Sequence, residues 1–138
     1  MALKAYGYNC TYKNLLDGDW VGGNVYAQLL SNSYNFSDVH TTRADLSTFT
    51  VSSPVPLSNK TTSYSGKETT LDCDDIVVTG SPSARWVAFL FWDGVAVVNS
   101  DKLISIVDLN SDGQVDVLVD SNLVISSSGV NRITFSNA

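Results

Sequence analysis

The sequence predicts a mainly-β protein, an antiparallel β-sandwich or jelly-roll-like single domain with a short N-terminal helix. Three observations predict it. A length of 138 residues suits one domain and leaves little room for two. Thirteen Asp stand against one Glu, and thirty Ser and Thr against eight Ala, a balance that favours turns and strands over helix interiors. Short apolar runs recur at roughly ten-residue spacing, with Gly, Pro, Asn and Asp between them. The domain divides into an N-terminal arm with the helix, residues 1–23, and a β core, residues 24–138.

The elements follow in order. Tyr8, Tyr12, Leu15 and Leu16 recur at helical spacing, which predicts a helix over Asn9 to Leu16. Asp17-Gly18 ends it, because glycine can take the left-handed closing conformation. Gly22-Gly23 turns the chain into Asn24 to Ser31, an almost continuous apolar run and hence a buried strand. Asn32 to His40 reads as a loop. Thr41 to Leu46 reads as one helical turn capped by Thr41 or Thr42. Pro54 and Pro56 demote Val51 to Leu57 to an edge or irregular strand. Lys60 to Ser65 and Lys67 to Leu71 flank Gly66 as a hairpin, and Ile76 to Thr79 is a short strand.

Ala84 to Trp92 is the strongest strand. Parity sends Trp86 and Trp92 to one face and Phe89 and Phe91 to the other, the mark of a central strand buried on both sides. Asp93-Gly94 turns it, with Val95 to Val98 as the expected hairpin partner. In Lys102 to Asp108, Leu103, Ser105 and Val107 are expected on one face, with Ile104 and Ile106 on the other. Gln114 to Val119 is expected to pair back, and Leu123 to Ile125 and Arg132 to Phe135 finish the sheet.

Composition also excludes functions. The net charge is -6 and only eight Lys and Arg are scattered along the chain, so no basic patch exists for a nucleic-acid backbone. No apolar run reaches the length of about 18 residues that a membrane helix needs. Met1 to Lys13 lacks the apolar core of a signal peptide, so synthesis in a cytoplasm is expected. Two cysteines, Cys10 and Cys73, leave either one bridge or two partly buried thiols.

Enzyme signatures are missing. His40 is the single histidine and has no metal-ligand partner at a suitable spacing. No Gly-x-Ser-x-Gly, GxGxxG or P-loop occurs, and Glu68 and the aspartates single out no acid–base pair. One stretch is sharper. Asp108-Leu109-Asn110-Ser111-Asp112-Gly113-Gln114-Val115-Asp116 has the D-x-N-x-D-G order of a calcium loop. Asp108, Asn110 and Asp112 would give side-chain oxygens, Gln114 its carbonyl, and Asp116 an oxygen directly or through water. Val119 stands where the bidentate Glu would be, and the flanks read as strands. The competing reading is a plain Asp-Gly turn.

Aromatic residues supply candidate contacts. Tyr34 and Phe36 sit in a polar loop, and Leu3, Tyr6 and Tyr8 in the N-terminal arm, as candidate interface residues, although a loop folded over the sandwich would bury Tyr34 and Phe36 equally well. Trp92 or Trp20 could stack on a sugar ring, the basis of a carbohydrate-binding alternative.

The order of segments then resembles a family. Val25-Tyr26-Ala27-Gln28-Leu29-Leu30-Ser31 leads into Ser33-Tyr34-Asn35 and Ser37-Asp38-Val39-His40. Leu71-Asp72-Cys73-Asp74-Asp75-Ile76-Val77, Ala84-Arg85-Trp86-Val87-Ala88 and Leu103-Ile104-Ser105-Ile106-Val107-Asp108 follow, and the chain closes on Arg132-Ile133-Thr134-Phe135. From about Asn24 onward this looks like a widespread family of small tailed-bacteriophage proteins. Its Thr-Pro is replaced at Asn35-Phe36, its glycine-rich segment by Pro54 to Lys60, and its strand-end turn by Asp108 to Asp116. The resemblance implies a virion structural protein without catalysis. It implies a head decoration, or cement, protein on the capsid surface, assembled in the host cytoplasm. Its partners would be the major capsid protein and itself, as a dimer or trimer. Tail, collar or baseplate proteins are the alternative partners, with no nucleic acid and no membrane.

Overall fold

The computed structural model of the protein describes residues 4–65, 68–73, 76–77, 84–108, 117–126 and 131–137. The fold is mainly β, and every strand pair is antiparallel. The chain order is β1 (Lys4–Gly7), α1 (Thr11–Asp17), β2 (Asn24–Leu30), β3 (Val55–Pro56), β4 (Thr61–Ser65), β5 (Glu68–Asp72), β6 (Ile76–Val77), β7 (Trp86–Trp92), β8 (Lys102–Asp108), β9 (Val117–Ser126) and β10 (Asn131–Asn137). The first sheet runs β1-β8-β7-β2-β3. The second runs β10-β9-β5-β4, with β6 also pairing with β9.

β7 is central, as its two-faced aromatic pattern requires. Val87 and Phe89 join one apolar cluster with Val25, Ala27, Leu29, Ile104 and Val107. Leu71 of β5 and Cys73 join the same cluster, so this face of the first sheet packs toward the second. Trp86, Ala88 and Leu90 join the opposite cluster with Tyr26, Leu30, Leu103 and Ile106. That second face is covered by Tyr8, Tyr34 and Leu46 from connecting segments. The two cysteines pack against opposite faces and form no disulfide with each other.

The strict alternation expected along Lys102 to Asp108 is corrected by a β-bulge. Phe89 faces Ser105 and Leu90 faces Leu103, so Ile104 is an extra residue on β8. The bulge rotates the chain. Leu103 and Ile106 therefore pack on one face, and Ile104 and Val107 on the other.

The bulge also loosens two carbonyls from the ladder, and α1 satisfies them. The Thr11 hydroxyl donates to the Ile104 carbonyl. Asn14 Nδ2 donates to the Leu103 carbonyl at 2.6 Å. The Tyr8 N–H in turn donates to Thr11 Oγ1 at 2.9 Å. β1 covers Ser105 to Asp108, and α1 together with Thr41 and Thr42 covers the rest of that edge. Thr11 and Asn14 are accordingly buried polar residues, while Lys13, Leu16 and Asp17 of the same helix are exposed.

The other edge is closed by residues 49–57. The N–H groups of Val51 and Leu57 donate to Leu29 and Val25 of β2, and Ser31 N–H donates to Phe49. Gln28 Nε2 spans the irregular part to reach the Ser52 carbonyl at 2.8 Å. Pro54 and Pro56 blunt this edge against further pairing.

Other expectations are adjusted. Val95 to Val98 does not form the hairpin partner of β7, which pairs with β2 and β8. The 114–119 and 123–125 segments were expected as two strands, with the first pairing back. Instead β9 is one strand of the second sheet, paired with β5 and β10, and residues 114–116 lie outside the described residues. Gly18 ends α1 with an extended backbone rather than a left-handed one. Its small size matters instead, because a Cβ there would lie 2.7 Å from the Phe91 ring.

Candidate functional site

The densest gathering of chemistry-bearing side chains lies on the loop-covered face of the first sheet. β1 delivers Tyr8 to it, the Ser31 to His40 loop delivers Tyr34 and His40, and Cys10 starts α1. Tyr8 Oη and Tyr34 Oη are 3.0 Å apart, and Tyr34 Oη is 2.7 Å from His40 Nδ1. The Cys10 thiol points at the carbonyls of His40 and Leu103, at 3.6 and 3.8 Å. Phe36, Phe49, Tyr6 and Trp86 ring this chain. Tyr34 meets Trp86 and Phe49 edge-on, and Phe36 stacks on Trp86.

The environment holds the two phenols and the thiol in their neutral forms. Burial pushes the Tyr8 phenol far above its ordinary value, and the Tyr34 bond adds to the shift. Burial raises the Tyr34 phenol and the Cys10 thiol as well. A protonated thiol is a poor nucleophile. The arrangement fastens the 31–40 loop and the start of α1 onto the sheet.

This placement sets part of the expected interface inside the core. Tyr8 and Tyr34 are buried, Tyr34 to 1 % exposure, and they act as core. Hydrogen-bonded phenols in an aromatic cluster satisfy themselves internally, so they present no anchor to a partner. Tyr6 and Phe36 pack against the same cluster and are half-buried. Leu3 lies outside the described residues.

The first position of the calcium reading, Asp108, is the last residue of β8 and is buried. Its two carboxylate oxygens accept from Arg85 Nε at 3.0 Å and a terminal guanidinium nitrogen at 3.1 Å. Arg85 thus lies against the carboxylate that the calcium reading takes as its first ligand. Asn110, Asp112, Gln114 and Asp116 lie outside the described residues. No cluster of metal-ligating side chains occurs among the described residues.

The stacking alternative loses one of its two tryptophans. Trp20 is buried in the inter-sheet cluster at 7 % exposure. Trp92 is half-buried and meets Tyr26 edge-on.

Pattern reading missed a second constellation, in the 93–101 loop. Its only signal was an Asp at each end of an apolar run. Asp93 Oδ1 accepts from the N–H groups of Val95 and Ala96, at 2.8 and 3.0 Å, and these bonds hold its carboxyl below the usual range. Asp101 is buried and accepts from Tyr26 Oη and the Val98 N–H, both at 3.0 Å. Arg43 and Ala44 N–H groups bond the carbonyls of Asp101 and Asn99. Gly94 has φ +84°, the conformation that favours glycine. The loop is thus built rigidly while Val95 stays 87 % exposed.

Comparison with known proteins finds no matching family model, no matching curated protein and no matching solved structure.

Proposed function

We infer that this chain is a structural, non-catalytic protein that works by docking to other proteins. Within that class it is a tailed-phage virion protein, decorating the outside of the major capsid shell. One observation carries the non-catalytic part. Tyr8, Tyr34, His40, Cys10, Arg85 and Asp108 spend their polar atoms on bonds that fasten segments to the first sheet. The buried phenols and thiol are held neutral, which suits a scaffold better than acid–base work. The phage part draws on the order of segments from Val25 to Phe135. Two antiparallel sheets bearing rigid apolar loops suit a small coat component.

Quantitative densitometry of purified virions tests this. A copy number close to that of the capsid subunit supports decoration. A number of roughly three to twelve moves the assignment to tail, collar or baseplate. Absence from the particle overturns the virion reading.

A further inference from the structure

The Tyr8–Tyr34–His40 chain has one order of donors that leaves no buried proton without an acceptor. A phenol has one O–H to donate and two lone pairs to accept with. Tyr8 is buried, and among the described residues the partner of its hydroxyl is Tyr34 Oη. Tyr8 therefore donates to Tyr34. The bond raises the Tyr8 phenol and lowers the Tyr34 phenol, as it does for a donor and its acceptor. A backbone bond from Ser37 also lowers the Tyr34 phenol, so the Tyr34 oxygen accepts there as well. Tyr34 is left with its own proton to give, and His40 Nδ1 lies 2.7 Å away to receive it. In this order Nδ1 carries no proton, and the neutral His40 ring keeps its proton on Nε2.

A second proton on the ring reverses that requirement. Both nitrogens of a charged imidazole are donors. Nδ1 would then have to donate to a Tyr34 oxygen that already accepts from Tyr8 and Ser37. Tyr34 would have to turn its own O–H elsewhere. Turning it toward Tyr8 displaces the Tyr8 proton, which has no other acceptor among the described residues. The fault moves along the chain without being removed, and a buried donor without a partner bears its full desolvation cost. The closed loop therefore takes up this proton less readily than an open one, and acid favours the open loop.

The surroundings leave this contact in charge. Cys10, at the start of α1, turns its thiol to the His40 carbonyl rather than to the ring. Asp45, on the turn after Thr42, acts on both phenols, and its Oδ2 accepts from the Thr41 and Thr42 N–H groups. Asp45 and exposed Asp38 attract a charged ring through space, and Lys102, bridged to Thr42, repels it. Arg43 is turned to Asn99. Among the described residues none of these bonds the ring, and charges that are not buried are screened. His40 is half-buried, so its ring is open to solvent protons. Histidine is also the side chain whose charge changes between about pH 5 and 8.

The chain ties down the middle of the Ser31 to His40 loop. Backbone bonds hold its ends, from Ser31 to Phe49 and from Asn9 to Asp38. Beneath the middle, Tyr34 meets Trp86 and Phe49 edge-on and Phe36 stacks on Trp86.

We propose that the Tyr8–Tyr34–His40 chain is an acid-sensitive latch. A proton on the His40 ring breaks it, and the middle of the Ser31 to His40 loop loosens from the aromatic face formed by Trp86 and Phe49. The proposal stands whether or not the virion reading does.

Nuclear magnetic resonance of the full chain tests it. His40 is the single histidine, so one set of ring signals reports on it. At pH 8 the ring nitrogens are expected to show a proton on Nε2 and none on Nδ1. Amide hydrogen exchange then reads the loop between pH 8 and 5, as protection factors relative to β2. The Tyr34 and His40 N–H groups, bonded to Ser31 and Ser37, are expected to lose about tenfold in protection as the ring gains its proton. His40→Gln keeps an acceptor that does not titrate, and its loop is expected to hold its protection over the same range. Asp38, Asp45 and Lys102 are common to both chains, so the comparison isolates the ring. Should His40→Gln not fold, Tyr34→Phe takes its place, with a loop already loose at pH 8 that loosens no further. A proton on Nδ1 at pH 8 overturns the proposal. So does wild-type loop protection that stays level or rises with acid, or a comparison variant that loses as much as the wild type.

Discussion

The guanidinium of Arg85 holds both carboxylate oxygens of Asp108 while its central carbon lies 4.8 Å from the centre of the Trp86 ring. Arg85 also donates to Asn32 Oδ1 at 3.2 Å, so one side chain joins the end of β8, the start of β7 and the loop after β2. Arg85→Met keeps the apolar stem and strands a buried carboxylate. The expected cost is about 2–3 kcal/mol, below the full penalty of a buried pair because Arg85 is partly exposed. Asp108→Asn should cost about 1 kcal/mol, since a neutral acceptor remains. Urea midpoints should fall in the order wild type, Asp108→Asn, Arg85→Met. Equal midpoints for all three would count against the pair as a structural tie.

The same pair bears on calcium. With its oxygens held by Arg85, Asp108 is a poor first ligand for the loop that follows. Calcium at about 1 mM, against an EDTA reference, is expected to leave the thermal midpoint in place. A rise of several degrees, removed by Asp112→Asn, would restore the loop as a calcium site.

Tyr34→Phe removes the middle oxygen of the Tyr8–Tyr34–His40 chain and leaves the Tyr8 hydroxyl buried without it. A loss of about 1–3 kcal/mol is expected, read from urea unfolding.

Alkaline pH should act on the same residues. Burial raises the phenols of Tyr8, Tyr34 and Tyr26, with Asp101 adding to the shift at Tyr26. The unfolded chain gives up these protons from about pH 10, while the folded chain retains them. The folded state then binds more protons, so stability is whole below about pH 10 and falls above it. The slope approaches about 1.4 kcal/mol per pH unit for each such tyrosine. Phenolate absorbance from these three should rise in step with loss of circular dichroism. Their ionisation at an ordinary pH in a still-folded chain would contradict the burial argument.

Ser105 tests the opposite sign. Its side chain is fully buried on β8 and its Oγ has no hydrogen-bond partner among the described residues. Ser105→Ala removes an unsatisfied hydroxyl, so stability is expected to rise, by up to about 1 kcal/mol. A thermal midpoint a few degrees higher would show it, and a lower one would mean that the hydroxyl has a partner.

The class of fold was legible because turn-forming residues punctuate the chain and Ala84 to Trp92 could only be a central strand. The Lys60 to Leu71 hairpin was legible for the same reason, and it appears as β4 and β5. The helical turn after Thr41 appears as a 3-10 turn, Arg43–Asp45, capped by Thr42. The faces of β8 were not legible. Leu103 to Val107 alternates too well on paper, and a bulge at Ile104 depends on carbonyl acceptors being met by Thr11 and Asn14 far away in sequence. β1 was missed because Lys4–Gly7 is short and has no partner nearby in the chain. The setting of Tyr34 and Phe36 was not legible for a related reason. An aromatic in a polar loop looks like an anchor, and only the position of Trp86 beneath Tyr34 and Phe36 shows that the loop folds inward.

The clamp between α1 and β8 also sets an order of events for a growing chain. Thr11 and its acceptor at Ile104 are 93 residues apart. β1 and α1 therefore wait, without a neighbour in the first sheet, until β8 has been made. Closing so wide a loop is slow compared with forming a hairpin such as β4–β5. Until it closes, one margin of β8 lies open to pairing with another chain. β1 and α1 thus cannot dock until β8 has been made, and the margin they cover is open until then.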